Sequence, residues 1–288
     1  MNTQRGNLLH PVLHRVLLSM YLLFTLLPII WLFLSTIQTE ASLLRVPAHI
    51  LPDQVTFQNY IDIFRPAAFG EQSGQSTFLL ALRNSVLVSL GTTCIAMTFG
   101  TLAAYAFARL NIPAKRSLLL AVLATQLLPA ISTIIPLFRM LKSANLLDTL
   151  WALILAYSSF STPFVVWIMA GYFQSIPQEL EEAAYIDGAS RLQSFALIAL
   201  PLAAPGLAAT AIFTLLNAWD EFFFALIFTS TYNAKTAPVA LAEFIGRHSV
   251  NWGMLVTGGF LASLPPILLS LLFYRYIVSG LSAGGLKG

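Results

Sequence analysis

The run Glu182-Ala183-Ala184-Tyr185-Ile186-Asp187-Gly188-Ala189 is a short acidic island between two long apolar stretches, and Phe195, Ile198, Leu200-Pro201 and Pro205 follow it closely. Its chemistry is recognition: carboxylates and small side chains let something soluble grip a chain embedded in lipid. Asp220 and Glu221 form a second polar interruption, inside an apolar run over 202–230. Ionisable side chains within a membrane segment are costly and mark a pathway by default; the other reading puts both carboxylates at an external end, in water. Gln126, Ser158, Ser159, Ser161, Thr162 and Trp219 add hydrogen-bonding groups and one aromatic face. His10 and His14 stand at helical spacing, but Pro11 separates them and no Cys or acidic ligand is near, so no metal site is expected. Cys94 is the single cysteine, which excludes an intrachain disulfide; it is expected to pack inside a span.

The elements that must carry these residues are set by composition. The chain is 57% hydrophobic and 9% charged, with mean hydropathy +0.78, whereas about a quarter of the residues of soluble domains are charged. Crossing the hydrocarbon core takes about 20 residues as helix. Uncharged stretches over 16–34, 84–108, 117–138, 149–178 and 249–274 are long enough, and 202–230 is broken only by the two acids. Six transmembrane helices in an all-α polytopic membrane protein are therefore expected. The first stretch is too long for the core of a signal peptide and is read as a retained helix over 16–37, after a terminus over 1–15. An even helix count places both termini on one side. Lys and Arg divide almost evenly between the two sides, so their bias decides little, although Arg109, Lys115 and Arg116 share one tight loop. The formal charge of +3 is scattered, which excludes a nucleic-acid surface.

Local spacing refines this outline. An external loop over 38–76 carries Phe57, Tyr60, Ile63 and Phe64 as one face of a short interfacial helix. Ala96, Gly100, Ala104 and Ala108 form a small-residue stripe, suited to close helix contact within the chain or between subunits. In the island, Ser175 with Gln178 fits a capping box, Pro177 suits a first turn, and Glu179, Glu181 and Glu182 favour a helix N-terminus. Gly188 then supplies a left-handed stop after about three turns. Leu180, Ala183, Ala184 and Asp187 share one smooth face. Ser190 with Gln193 caps a second short helix, which Pro201 is expected to end.

Glu182-Ala183-Ala184, Asp187-Gly188-Ala189, Phe195, Ile198 and Leu200-Pro201 resemble the EAA loop of ATP-binding-cassette (ABC) importer permeases of the carbohydrate-uptake group. Asn59-Tyr60, Asn84-Ser85, Ala103-Ala104-Tyr105, Ile135-Pro136-Leu137 and Asn217-Ala218-Trp219 are similar to that group too. The ending from Gly280 to Gly288 is similar to the smaller permease of maltose-type and trehalose-type importers.

The resemblance implies a type I importer permease, with a permease core over 77–278, the coupling loop at 175–201 and a cytoplasmic tail over 279–288. It implies a second permease subunit in a heterodimer, two cytosolic ATPase subunits that hold ATP and magnesium, and an extracytoplasmic sugar-binding protein. The setting it implies is a bacterial inner membrane with both termini cytoplasmic. Glu182 would pair with a basic group of the ATPase, Gly188 would make the corner, and Ala183, Ala184, Asp187, Ala189, Leu200 and Pro201 would complete the contact. Gly284, Gly285 and Lys287 would reach between the ATPases. Gln126, Ser158, Ser161, Asn217, Trp219, Asp220 and Glu221 are the pathway candidates, although the larger permease holds most substrate contacts in some members. No Lys follows a Gly anywhere, so the chain has no P-loop and hydrolysis falls to a partner. A secondary transporter or channel acting alone is the competing class. It would need an ion or proton relay at the midplane, whereas these acids cluster in one loop and one span.

Overall fold

In lipid no water serves the backbone, so a spanning chain satisfies its own N–H and C=O groups as helix. The computed structural model describes residues 9–47, 49–65, 77–246 and 250–276. Three helices precede the core: α1 (Leu9–Thr36), α2 (Glu40–Leu43) and α3 (Gln58–Ile63). The sequence continues through α4 (Thr77–Arg109), α5 (Lys115–Ala124), α6 (Ala130–Ser143) and α7 (Leu150–Ser175). The island becomes α8 (Glu179–Ile186), α9 (Arg191–Ser194) and α10 (Leu200–Leu202). Beyond it lie α11 (Ala204–Asp220), α12 (Phe223–Phe228), α13 (Ala237–Ala242) and α14 (Trp252–Leu272).

Four of these, α1, α4, α7 and α14, are single helices long and apolar enough to cross a membrane, and the count reaches six only if two bent pairs are each one span. The expected helix over 117–138 is instead two pieces meeting at 93°. Leu128 precedes Pro129 and is pushed to an extended conformation, with ψ 123°, which stops one helix before the next begins. The expected span over 202–230 is also interrupted. It starts at a 76° bend between Arg191–Leu202 and Ala204–Asp220, and within it Glu221 is extended, so α11 stops at Asp220 and α12 starts afresh at Phe223.

Contacts divide the chain into two compact units, one of Met1–Ser76 with Leu241–Leu261 and one of Thr77–Ala240 with Ala262–Gly288. In the first, the apolar side chains of α1 point outward; Phe24 is 82% exposed. The carbonyls at the end of α1 need donors, and the Asn59 amide supplies them, donating to Thr36 O at 2.9 Å and to Gln38 O just beyond the helix at 2.8 Å. Tyr60 Oη lies 2.7 Å from the Thr36 hydroxyl, and Ile63 is fully buried. Phe57 stays exposed, so the four aromatic and aliphatic residues expected on one face of α3 do not all bury.

The second unit is organised on α4 and α7. Ala96, Gly100, Ala104 and Ala108 are all buried, and the alanines among them pack in one core with Val165, Met169 and Phe173 of α7. A Cβ on Gly100 would lie 2.6 Å from Val165 Cγ1. The small-residue stripe is therefore a contact within the chain. Cys94 is exposed rather than packed: two residues before Ala96 is about 200° of helical rotation, which points it away from α7. At the N-terminal end of α4, the Asn84 amide donates to the carbonyls of Tyr232, Asn233 and Lys235 at 2.9 to 3.1 Å, and Ser85 accepts the Ala237 N–H at 2.8 Å. The connection from α12 to α13 is also held by Asp148, whose carboxylate accepts the N–H groups of Ser230 and Thr231 and the Thr231 hydroxyl. Partial burial pushes the Asp148 carboxyl up, but these donors and nearby Lys235 outweigh it and hold the group below its usual range.

Candidate functional site

The island folds as two short helices around a glycine corner. Ser175 is the last residue of α7 and its hydroxyl donates to Tyr172 O at 2.7 Å, so the expected capping box with Gln178 does not form. Gln178 caps α8 with its backbone carbonyl, which accepts the N–H of Glu181 at 2.9 Å and of Glu182 at 3.0 Å. Pro177 lies before the helix, and α8 spans 8 residues instead of about three turns. Glu179, Glu181 and Glu182 occupy its first turn, where the helix dipole favours negative charge. Gly188 has φ +89°; its N–H bonds Tyr185 O at 3.1 Å and the Ala189 N–H bonds Ala184 O at 2.9 Å, the paired bonds of a Schellman stop. Ser190 and Gln193 form the expected reciprocal capping box. The helix ends at Leu202, one residue past the stop expected at Pro201. A π-helical turn over Phe195–Ala199 shifts the bonding register, so Pro201 falls in the first turn of α10, where its missing N–H is not needed.

The loop is mounted on α4. Glu181 is 2% exposed. Its Oε1 accepts from Arg109 Nε at 2.6 Å and its Oε2 from the Tyr105 hydroxyl at 2.5 Å. A second Arg109 nitrogen donates to Ile176 O at 2.9 Å, where α7 stops. Tyr105 also meets Phe195 and Phe173, with ring centroids 4.6 and 5.5 Å away. Sequence reasoning took Glu181 as one of three equivalent acids and Arg109 as a flanking charge. Tyr105 and Arg109 do lie four apart, hence on one face of α4, but only the fold brings Glu181 to them.

Glu182, Ala183, Asp187 and Gly188 are exposed, Ala184, Ala189 and Leu200 are half-buried, and Pro201 is exposed. Ile186 is 87% exposed beside them. The loop therefore presents acid, alanine and apolar surface outward while its other side is fixed. Glu182 also lines a small pocket of about 140 Å³ with Arg109, Glu181 and Arg191.

A larger cleft of about 430 Å³ brings Gln126, Ser161 and Asn217 together with Phe160, Phe164 and Trp167. Gln126 donates to Phe160 O at 2.9 Å, one turn before Pro163 interrupts the bonding of α7. The other pathway candidates lie elsewhere. Ser158 is buried, and Trp219 is buried with its indole N–H donating to Ala262 O at 3.2 Å. Asp220 ends α11 with its side chain exposed. Glu221 accepts the N–H of Phe224 at 3.0 Å and of Ala225 at 3.3 Å, so it caps α12. Gly284, Gly285 and Lys287 lie outside the described residues. Among the described residues no cluster of His, Cys, Asp and Glu could hold a metal ion.

The model of the family "binding-protein-dependent transport system inner membrane component" matches residues 96–283, a span that includes α8, the glycine corner and the cleft. The trehalose transport system permease protein SugB of Mycobacterium tuberculosis is 39% identical, covering 92% of this chain and 93% of that protein. The sulfoquinovosyl glycerol transport system permease protein SmoH of Agrobacterium fabrum is 36% identical, over 94% of this chain and 92% of that one. Among solved structures, a chain of a bacterial ABC transporter involved in import of the acidic polysaccharide alginate has the same fold. Its TM-score is 0.76 at 22% identity, over 96% of this chain and 99% of that one.

Proposed function

The chain belongs to the family of binding-protein-dependent transport system inner membrane components, and we propose that it forms half of the membrane path by which an ATP-driven importer brings a glycoside into the cytoplasm. It is a multi-pass membrane permease subunit and not an enzyme. Its carbohydrate substrate class is supported by the glycosides named for its relatives and by the cleft, where the amide or hydroxyl side chains of Gln126, Ser161, Thr214 and Asn217 stand beside three aromatic rings. Such a lining offers hydrogen bonds to sugar hydroxyls and flat apolar faces to a sugar ring.

The observation that carries the reading is the α8 loop, fixed on one side by buried bonds and open on the other. A cytosolic ATPase would take its exposed face, with Glu182 toward a basic group. Two such subunits would hold ATP and magnesium, so that their closure swings the helices between inward and outward access. On this reading the loop and both termini are cytoplasmic. A second permease completes the path as a heterodimer, and an extracytoplasmic binding protein delivers the sugar. Gly284, Gly285 and Lys287 are assigned to contact between the ATPases, on sequence grounds alone.

The test is purification of the tagged chain from its native membrane, reconstitution, and uptake assays with a panel of trehalose, maltose and glucosylglycerol. Copurification of an ATPase and ATP-dependent uptake of one of these sugars is expected. Uptake of a panel sugar that persists in a non-hydrolysable ATP analogue would overturn the reading in favour of a transporter working alone.

A further inference from the structure

We propose that Arg109, Tyr105 and Glu181 are positioning residues that make α8 a rigid extension of α4, so that force on the exposed face of the loop passes directly into a membrane-spanning helix. The proposal rests on the reading of this loop as the coupling element. A loop held only by its two chain ends absorbs force by bending. Here a third attachment comes from α4, far away in sequence. Both oxygens of Glu181 are used, one by the Arg109 guanidinium and one by the Tyr105 hydroxyl. The same guanidinium also holds Ile176 O, so one side chain ties together α4, the end of α7 and α8.

Burial makes this attachment stiff. The Arg109 and Glu181 side chains are 9% and 3% exposed, so water does not compete for their bonds as it does in a surface pair. Tyr105, Phe173 and Phe195 brace the far side of the corner, ring against ring, and bind the helix that follows Gly188 to the same two spans. The acids of the first turn thus divide the work. Glu181 turns inward to the mount, while Glu182, the next residue, faces outward.

The experiment uses the intact importer in lipid nanodiscs, with its binding protein loaded with trehalose as the probe. The readouts are the ratio of stimulated to unstimulated ATP hydrolysis and the stoichiometry of bound ATPase subunits. Glu181→Gln keeps the shape and removes the charge, and the stimulation ratio should fall on the order of 5- to 150-fold, the span of ordinary site-to-site coupling, while the ATPases stay bound. Tyr105→Phe, which keeps the aromatic brace and loses one hydroxyl, should fall in the same direction by less. Exchange of the pair, Arg109→Glu with Glu181→Arg, should recover part of the loss relative to Glu181→Arg alone, which a general loosening of the loop would not do. Wild-type ratios in Glu181→Gln and Tyr105→Phe, or no recovery on exchange, would overturn the mount. Loss of bound ATPase from every variant would overturn it as well, by showing that the residues serve assembly. A wild-type complex that hydrolyses no ATP would sink the coupling reading itself, whatever the variants do.

Discussion

At Gly188 the backbone alone decides what is allowed. Its φ of +89° is left-handed, yet nothing lies within 4 Å of where a Cβ would stand, so a substitution meets strain and no crowding. Gly188→Val should cost about 1–2 kcal/mol locally and shift the Ser190 cap, lowering stimulated ATPase activity while membrane insertion persists. Gly188→Asn, which tolerates that conformation better, should retain more activity; equal losses in both would argue against a backbone cause. Asp148 makes a different prediction, about acid. Its carboxyl is held below the usual value near 3.8 by donors of the folded state. Its contribution is therefore complete above that value and disappears as pH falls through the depressed one. Thermal unfolding of wild type in detergent between pH 6 and pH 3 should show a steeper acid loss than Asp148→Asn, and parallel curves would contradict this. The Gly188 stop and the Ser190–Gln193 box were legible in the sequence because each signal is local. Glu181 was not, because its burial depends on a partner contributed by α4.

Among the elements, α4 was legible to within a turn at its C-terminal end, and its stripe of small residues found its partner in α7. The break inside 117–138 was not. Hydropathy runs unchanged across Pro129, so a composition window reads one continuous span where the chain turns by 93°. Proline marked that break through its effect on Leu128, and the bend at Ala203 falls within two residues of the stop expected at Pro201, with Pro205 in the first turn of α11. Gly100 supports a prediction at this scale. Gly100→Val would drive side-chain atoms into Val165, part α4 from α7 and destabilise the unit by about 1–3 kcal/mol. Gly171→Ala is the control, since nothing lies within 4 Å of its Cβ position. A lower melting temperature for the first and an unchanged one for the second is expected by fluorescence-detected size exclusion.

For the whole molecule, the membrane class was far more legible than the cleft. Asn217 and Gln126 line one cleft from elements far apart in sequence, and Gln126 is held there by its bond to Phe160 O of α7, a placement that no spacing rule could assemble. Asn217→Ala should raise the KM for sugar uptake several-fold, by loss of one hydrogen bond of about 0.5–1.5 kcal/mol, and leave sugar affinity of the binding protein unchanged. An unaltered KM would remove Asn217 from the path. The close contact at Gly100 bears on how such a path could open. Helices whose backbones approach until a methyl group no longer fits cannot shear past one another in small steps, because every step meets Val165. The pair α4 and α7 must then swing as one lever, and the hinges available to it are the places where helix is already interrupted, at Leu128-Pro129 and at Ala203.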